Sequence, residues 1–132
     1  MYKFDSSTER DLAIVLERDN DVLKWLRPAP QQFDIYYGRG VKDRYEPDFI
    51  VETSDTIYMV ETKARKDLND KTVLQKAKAA RSYCDAVTEW NKDNGGKPWK
   101  YVVIAHDDVR INSSFIFLVK NSVQYEQMIL DL

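Results

Sequence analysis

Apolar residues recur at two different spacings along this chain, and the alternation between them predicts the order of its elements. Spacings of three and four residues, typical of amphipathic helices, occur at Leu12, Val15 and Leu16 and again across residues 69–94. Short continuous apolar runs bounded by turn residues are instead typical of buried strands. The pattern therefore predicts helices alternating with strands.

Punctuating residues define the predicted helices. Ser6 or Ser7 is a suitable N-cap for the first helix, with Glu9 close behind in the manner of a capping box. Gly95-Gly96 ends the long helix. The other helical predictions are a turn or short helix carrying Val22, Trp25 and Leu26 before Pro28, and a closing helix over residues 122–132.

Five strands are predicted between these helices, at residues 33–37, 45–52, 56–63, 101–105 and 115–119. Turns are expected at 38–40, where two glycines allow positive φ, and at 53–55. The resulting order is α-β-β-β-α-β-β-α. Such mixed alternation predicts an α/β fold with a central mixed sheet flanked by helices.

Composition narrows the class of protein. The 132 residues suit a single domain spanning 1–132, with 43% apolar residues for a core and 32% charged residues. No apolar run approaches the roughly 20 residues that cross a bilayer, and no secretory signal is visible, so we expect no membrane association. Cys84 is the only cysteine, which excludes a disulfide framework and predicts a cytoplasmic protein.

Charge is unevenly distributed. The net charge of −2 argues against binding nucleic acid by bulk charge. Residues 63–81 are nevertheless locally basic, through Lys63, Arg65, Lys66, Lys71, Lys76, Lys78 and Arg81 against Asp67 and Asp70. This stretch is either a DNA-binding face or an ordinary solvated helix surface.

The candidate chemistry lies in Pro47-Asp48 and Glu61-Thr62-Lys63, which border the two strands 45–52 and 56–63. A tight hairpin would bring Asp48 beside Glu61. Because alternate residues of a strand share a face, Glu61 and Lys63 point the same way. Two carboxylates and an ammonium at one sheet edge suit a divalent metal and a phosphodiester, which predicts a nuclease. Either half of the motif alone is common as ordinary structure.

The predicted metal is Mg²⁺, with Mn²⁺ as a substitute. Mg²⁺ takes oxygen ligands and needs only one or two carboxylates besides water and substrate phosphate. Asp48 and Glu61 supply the carboxylates, and the Thr62 carbonyl adds a further oxygen. Lys63 would then lower the pKa of the attacking water or stabilise the charge that develops on phosphorus.

Several other residues have two possible roles. Glu9 is either a further catalytic acid that reaches the metal or a capping acid of its own helix. Gln75 contacts phosphate or a catalytic water, or belongs to a plain polar helix face. The predicted DNA contacts are Arg65, Lys66, Gln75, Lys78 and Arg81. His106 suits a loop edge, and Cys84 suits the core.

At Pro47-Asp48, Glu61-Thr62-Lys63 and Glu9 the chain resembles the PD-(D/E)xK nuclease superfamily, whose restriction-endonuclease-like α-β-β-β-α-β core matches the predicted order. The segments Val22-x-x-Trp25 and Val60-Glu61-Thr62-Lys63 also resemble the C-terminal endonuclease domain of type III restriction enzymes. Some relatives have Gln-x-x-x-Tyr on the following helix, but Ala79 stands at the tyrosine position here.

The resemblance implies metal-dependent cleavage of double-stranded DNA within a restriction or related defence system. Asp48 and Glu61 would be the magnesium ligands and Lys63 catalytic. Implied partners are an ATP-dependent helicase-like portion, a methyltransferase or recognition subunit, and a second copy in a dimer, since cutting both strands commonly requires two sites. The alternative is a catalytically silent nucleic-acid-binding or assembly module with the same fold.

Overall fold

A four-stranded mixed sheet organises the part of the chain that this computed structural model describes, namely residues 6–32, 35–37 and 44–130. Its strands are β1 (Lys24–Leu26), β4 (Phe49–Glu52), β5 (Ile57–Lys63) and β6 (Trp99–Ala105), in that spatial order. The β1–β4 and β4–β5 pairs are antiparallel and the β5–β6 pair is parallel. A separate two-stranded ladder joins β2 (Ile35–Tyr36) to β3 (Arg44–Tyr45).

The helices are α1 (Ser7–Arg18), α2 (Lys71–Asn94), α3 (Phe115–Lys120) and α4 (Glu126–Leu130), with short 3₁₀ turns at Arg65–Asp67 and His106–Asp108. The expected α/β fold with a mixed central sheet and flanking helices is confirmed. No helix in the described ranges is long and apolar enough to cross a membrane.

The β4–β5 hairpin is closed by the predicted turn at 53–55. The Thr53 amide donates to the Thr56 carbonyl over 2.9 Å, and the Thr53 hydroxyl donates to the same oxygen over 3.0 Å. This closure sets a register in which Phe49 lies opposite Val60. Asp48, one residue before β4, is thereby placed beside the end of β5.

Helix α2 makes the crossover that a parallel β5–β6 pair requires. The Asp70 carboxylate caps its first turn, accepting from the amides of Thr72 and Val73. Gly95 ends it with φ 75°, a left-handed conformation that glycine adopts cheaply. Since β6 runs parallel to β5, α2 must begin at the sheet end where β5 finishes. Its first turns therefore lie at the same end as Lys63.

Apolar side chains from both faces of the sheet form the core. Leu12 and Leu16 of α1 pack with Phe49, Val60 and Phe115 on one face. On the other face the predicted α2 stripe is buried, with Val73 and Ala77 in one cluster and Ala80 and Cys84 in another beside Met59. Apolar side chains thus cover the sheet on both faces. The polar residues at its end are exceptions to this apolar packing.

Two predicted elements are wrong. The segment with Trp25 is an edge strand rather than a turn or helix, because its backbone pairs with β4 while Trp25 packs against Phe49 at 6.0 Å between ring centres. Residues 115–119 form helix α3 rather than a strand. Ser114 caps this helix, and Phe115, Leu118 and Val119 are buried at helical spacing. The apolar run satisfies either period, and the cap decides for the helix.

Strand boundaries also differ from the prediction. The strand expected over 45–52 is divided into β3 and β4, since Pro47 has no amide to donate to a ladder. The last helix begins at Glu126 rather than at 122, and residues 131 and 132 of that prediction lie outside the described residues. Residues 33 and 34 of the strand expected over 33–37, and the turn expected at 38–40, lie outside the described residues.

Candidate active site

Asp48 is held against β5 by its own carboxylate. Its backbone amide donates to the Val60 carbonyl over 3.1 Å, which continues the hairpin ladder by one residue. Its Oδ2 accepts from the Thr62 amide at 2.8 Å and from the Thr62 hydroxyl at 3.2 Å. Asp48 therefore has a defined position next to Glu61, with its second carboxylate oxygen available for a ligand or for Glu61.

Glu61 is the most strongly perturbed group at this site. Its side chain is 7% exposed, and Oε2 is a buried oxygen with no hydrogen-bond partner among the described residues. Burial raises the pKa of Glu61 well above its ordinary value, and the neighbouring Asp48 carboxylate raises it further. The charges of Lys63 and Lys76 act in the opposite direction. A carboxyl group buried beside another carboxylate is stabilised either by a proton or by a bound cation.

Lys63 ends β5 on the same face as Glu61, as the strand spacing predicts, and is half-buried. The structure therefore brings Asp48, Glu61 and Lys63 together. Thr62, between them on the strand, holds Asp48 through its amide and its hydroxyl. Its role as a carbonyl ligand stays a prediction.

Glu9 contacts the N-cap of its own helix and a basic side chain from beyond β1. Its amide donates to the Ser6 hydroxyl at 3.2 Å, so Ser6 is the N-cap as predicted. Its buried carboxylate lies 3.1 Å from the Arg27 guanidinium, which stacks over Phe49. Within the described ranges no three or more histidine, cysteine, aspartate or glutamate side chains form a group that could hold a metal ion. Glu9 is therefore paired with Arg27, and its role as a further catalytic acid, directly or through water, stays a prediction.

The predicted DNA contacts are spread over two regions. Arg65 forms ion pairs with Asp107 at 2.9 Å and Asp108 at 3.4 Å, and Lys66 is exposed on the same 3₁₀ turn. Lys78 and Arg81 line a groove beside α4, where Arg81 lies 3.6 Å from a Glu126 oxygen. Gln75 is half-buried. Lys78 and Arg81 thus lie on the side of α2 towards α4, and their DNA contacts stay predictions.

Lys76 belongs to the predicted basic stretch but is not among the predicted DNA contacts. It lies on the side of α2 towards β2 and β3, and its charge lowers the pKa of Glu61. The hydroxyls of Tyr45 and Tyr101 are also close to Glu61, and burial raises the pKa of both. The sequence did show a lysine near the start of the helix that follows Glu-x-Lys. It could not show which side of the helix would face Glu61, because that depends on how the helix packs against the sheet.

Neither His106 nor Cys84 belongs to this site. His106 begins a 3₁₀ turn at the end of β6, as expected for a loop edge. Cys84 is buried, and burial raises the pKa of its thiol to about 12. Because the thiolate is the reactive form, this cysteine is a core residue rather than a nucleophile.

Comparison with known families bears directly on this geometry. The family model of the TnsA-like endonuclease N-terminal region matches residues 19–91, more than half of the chain. The matched segment contains Asp48, Glu61 and Lys63, together with the hairpin and most of α2. The chain belongs to the TnsA-like endonuclease N-terminal family. No curated protein matches it.

Membership in the TnsA-like family supports the resemblance to the PD-(D/E)xK superfamily and the interpretation as a nuclease. The match begins after α1, so Glu9 lies outside it, and it ends within α2. The closer likeness to type III restriction enzymes has no such support and stays a prediction.

Proposed function

We propose that this TnsA-like chain is a Mg²⁺-dependent endodeoxyribonuclease domain that hydrolyses phosphodiester bonds of double-stranded DNA. The observation that carries the proposal is the close pair of carboxyl groups, Asp48 and Glu61, beside Lys63, with Glu61 Oε2 buried and unpartnered within the described structure. Structural carboxylates are normally hydrogen-bonded when buried, so an exception of this kind favours a functional role.

The donor set fits magnesium. Mg²⁺ prefers hard oxygen ligands and typically takes one or two protein carboxylates, with water and substrate phosphate completing its shell. Asp48 and Glu61 would hold the ion, and a divalent cation would satisfy the unpartnered oxygen and offset the repulsion between the two carboxylates. Mn²⁺ has the same ligand preference. Bound there, the ion would supply Lewis acidity to the phosphodiester.

The chain's own groups account for the rest of the hydrolysis. The oxygen of a water molecule forms a bond to phosphorus and the water loses a proton. One phosphorus–oxygen ester bond breaks, and the leaving oxygen takes up a proton from solvent, so the step balances. Lys63 stabilises the negative charge that grows on the phosphate and orients the attacking water. Thr62 keeps Asp48 in place through two hydrogen bonds. Burial of Glu61 strengthens the charge interactions at the site by lowering the local dielectric.

The biological setting proposed with this activity is a restriction or related defence system in the cytoplasm. A helicase-like portion, a methyltransferase or recognition subunit, and dimerisation remain predictions from the type III likeness. The alternative, a catalytically silent DNA-binding or assembly module, draws on the net charge of −2.

Plasmid cleavage tests the activity. Supercoiled DNA is incubated with wild type, Asp48→Ala and Lys63→Ala in Mg²⁺ or Mn²⁺, with EDTA as the blank. Matched controls are Asp93→Ala and Lys92→Ala, exposed residues in the last turn of α2. We expect cleavage by wild type and both controls and none by the two site variants. Cleavage by Asp48→Ala at the wild-type rate would refute the assigned site.

Calorimetric titration with Mn²⁺ tests the metal separately from turnover. We expect Asp48→Ala to lose binding, because one of two carboxylate ligands is gone, and Lys63→Ala to retain it. A wild type that binds Mn²⁺ and DNA without cutting would favour the silent module. A wild type that does not bind Mn²⁺ contradicts the metal site itself.

A further inference from the structure

Lys76 contacts two aromatic rings, and its charge acts on Glu61. Its ammonium nitrogen lies 5.3 Å from the centre of the Tyr37 ring and 5.7 Å from that of Tyr45. The Tyr45 hydroxyl donates to the Lys76 carbonyl oxygen at 3.2 Å, so one tyrosine contacts both the backbone and the charge. The two rings meet edge to face at 6.1 Å. The ammonium is therefore fixed before any ligand arrives.

The positive charge of Lys76 is not neutralised by an ion pair among the described residues. No carboxylate of the described residues forms an ion pair with it within 4.0 Å, whereas Arg65 and Arg81 each have acidic partners. Its positive charge nonetheless lowers the pKa of Glu61. Cation–π contacts with two rings stabilise a half-buried ammonium, and no described residue accepts a hydrogen bond from it.

The balance of charge at the site indicates what those donors bind. Asp48 and Glu61 are offset by the ammonium groups of Lys63 and Lys76. A divalent cation between the carboxylates then leaves the site with excess positive charge. A DNA phosphodiester carries one negative charge and gains more as water attacks it, so this excess matches an anionic phosphate better than a neutral ligand.

We infer that Lys76 is a second substrate-binding cation, whose ammonium donates to a non-bridging oxygen of a DNA phosphate at the site that contains Lys63. This inference rests on the proposed function. It assigns this phosphate contact to Lys76 and not to Lys78, which lies two residues further along α2 on the side of α4. Preorganisation by Tyr37 and Tyr45 reduces the entropy lost when the side chain contacts phosphate.

The test is the salt dependence of DNA binding. Fluorescence anisotropy of a labelled duplex is measured over a series of NaCl concentrations, with Ca²⁺ in place of Mg²⁺ to allow binding without turnover. The variants are Lys76→Met, which keeps the apolar stem, Lys76→Gln as a second neutral variant, and Lys76→Arg, which keeps the charge. Lys92→Met, an exposed lysine at the far end of the same helix, is the matched control.

We expect both neutral variants to reduce the slope of log K against log salt by about 1, because one phosphate contact is lost. Their affinity at low salt should fall by roughly tenfold. Lys76→Arg and Lys92→Met should keep the wild-type slope. Urea denaturation of each variant reports whether it is folded.

An unchanged salt slope in the neutral variants, or the absence of DNA binding by wild type, overturns the inference. If Lys76 only joins the β2–β3 ladder to α2, the neutral variants lower the urea midpoint and keep the wild-type salt slope. If wild type does not bind duplex DNA, this inference and the proposed function fail together.

Plasmid cleavage distinguishes the remaining cases. A wild type that cuts, with unchanged slope in Lys76→Met, refutes Lys76 alone. A wild type that binds without cutting, with a reduced slope in Lys76→Met, refutes the nuclease activity and retains the phosphate contact.

Discussion

Replacing Glu61 by glutamine should stabilise the metal-free protein while abolishing its metal binding. Glu61 is 7% exposed, one of its oxygens has no partner among the described residues, and Asp48 is its nearest acidic neighbour. Glutamine has nearly the same shape, carries no charge, and offers an amide donor to the Asp48 carboxylate. Sites built for a ligand are commonly strained without it, so removing the strain gains stability and loses function.

The expected gain follows from the buried oxygen. A buried polar group left without a partner costs about 1–3 kcal/mol, and more when it is charged. We therefore expect Glu61→Gln to raise the free energy of unfolding by about 1–3 kcal/mol at pH 8 in EDTA. With a urea m-value of about 1–3 kcal/mol per molar, the midpoint should rise by roughly 1 M.

The gain should depend on pH with a defined sign. Because the pKa of Glu61 is raised in the folded state, the folded protein holds a proton that the unfolded chain releases. The contribution of Glu61 to stability is therefore present at and below its ordinary value of 4.5 and is lost as pH rises towards the folded value. Wild type should lose stability across this window, and Glu61→Gln should not. The difference between them should be smaller at pH 5 than at pH 8.

Urea denaturation at both pH values, with EDTA and then with Mg²⁺, measures the effect. Mg²⁺ should stabilise wild type and leave Glu61→Gln unchanged, since a ligand stabilises only the state that binds it. Glu89→Gln is the control, an exposed acid paired with Lys92 at 3.0 Å, and should change stability by less than about 0.5 kcal/mol. The reasoning is refuted if Glu61→Gln at pH 8 is no more stable than wild type and follows the same pH dependence.

Three further predictions concern the scaffold, each measured by urea denaturation. Phe49→Ala should lose about 3–5 kcal/mol, because this fully buried ring packs against Trp25 and supports Arg27; a loss below 1 kcal/mol would contradict its place in the core. Ser6→Ala should lose about 1 kcal/mol with the α1 cap, and Ser6→Asp should restore it. Gly95→Ala should lose about 1 kcal/mol from its φ of 75° alone, since no atom of the described residues lies within 4 Å of the added methyl. A stability gain would show that the left-handed end is absent.

Much of the candidate site could be predicted from local sequence because its geometry is local. A turn at 53–55 closes a hairpin, the hairpin register puts Asp48 beside the end of β5, and strand alternation puts Glu61 and Lys63 on one face. The long α2 helix was likewise predictable, because its apolar stripe, and the glycine that ends it, are written within consecutive residues.

Tertiary contacts decided the remainder. The three residues of β1 are a strand only because β4 offers them a hydrogen-bonding edge, and the apolar run of α3 would satisfy either period until Ser114 capped it as a helix. The ion pair of Glu9 also depends on tertiary structure, because Arg27 approaches it from beyond β1.

The choice between Lys76 and Lys78 depended on how α2 docks. Both residues stand in the same basic stretch, and a helix places them on different sides whatever it packs against. Burial of Ala77 and Ala80 against the sheet turns Lys76 towards Tyr37 and Tyr45, and leaves Lys78 beside α4. The sequence alone determined which charges exist and how they alternate. Packing of the helix against the sheet determined which of them reaches the carboxylates, because that depends on an apolar surface formed by residues distant in the chain.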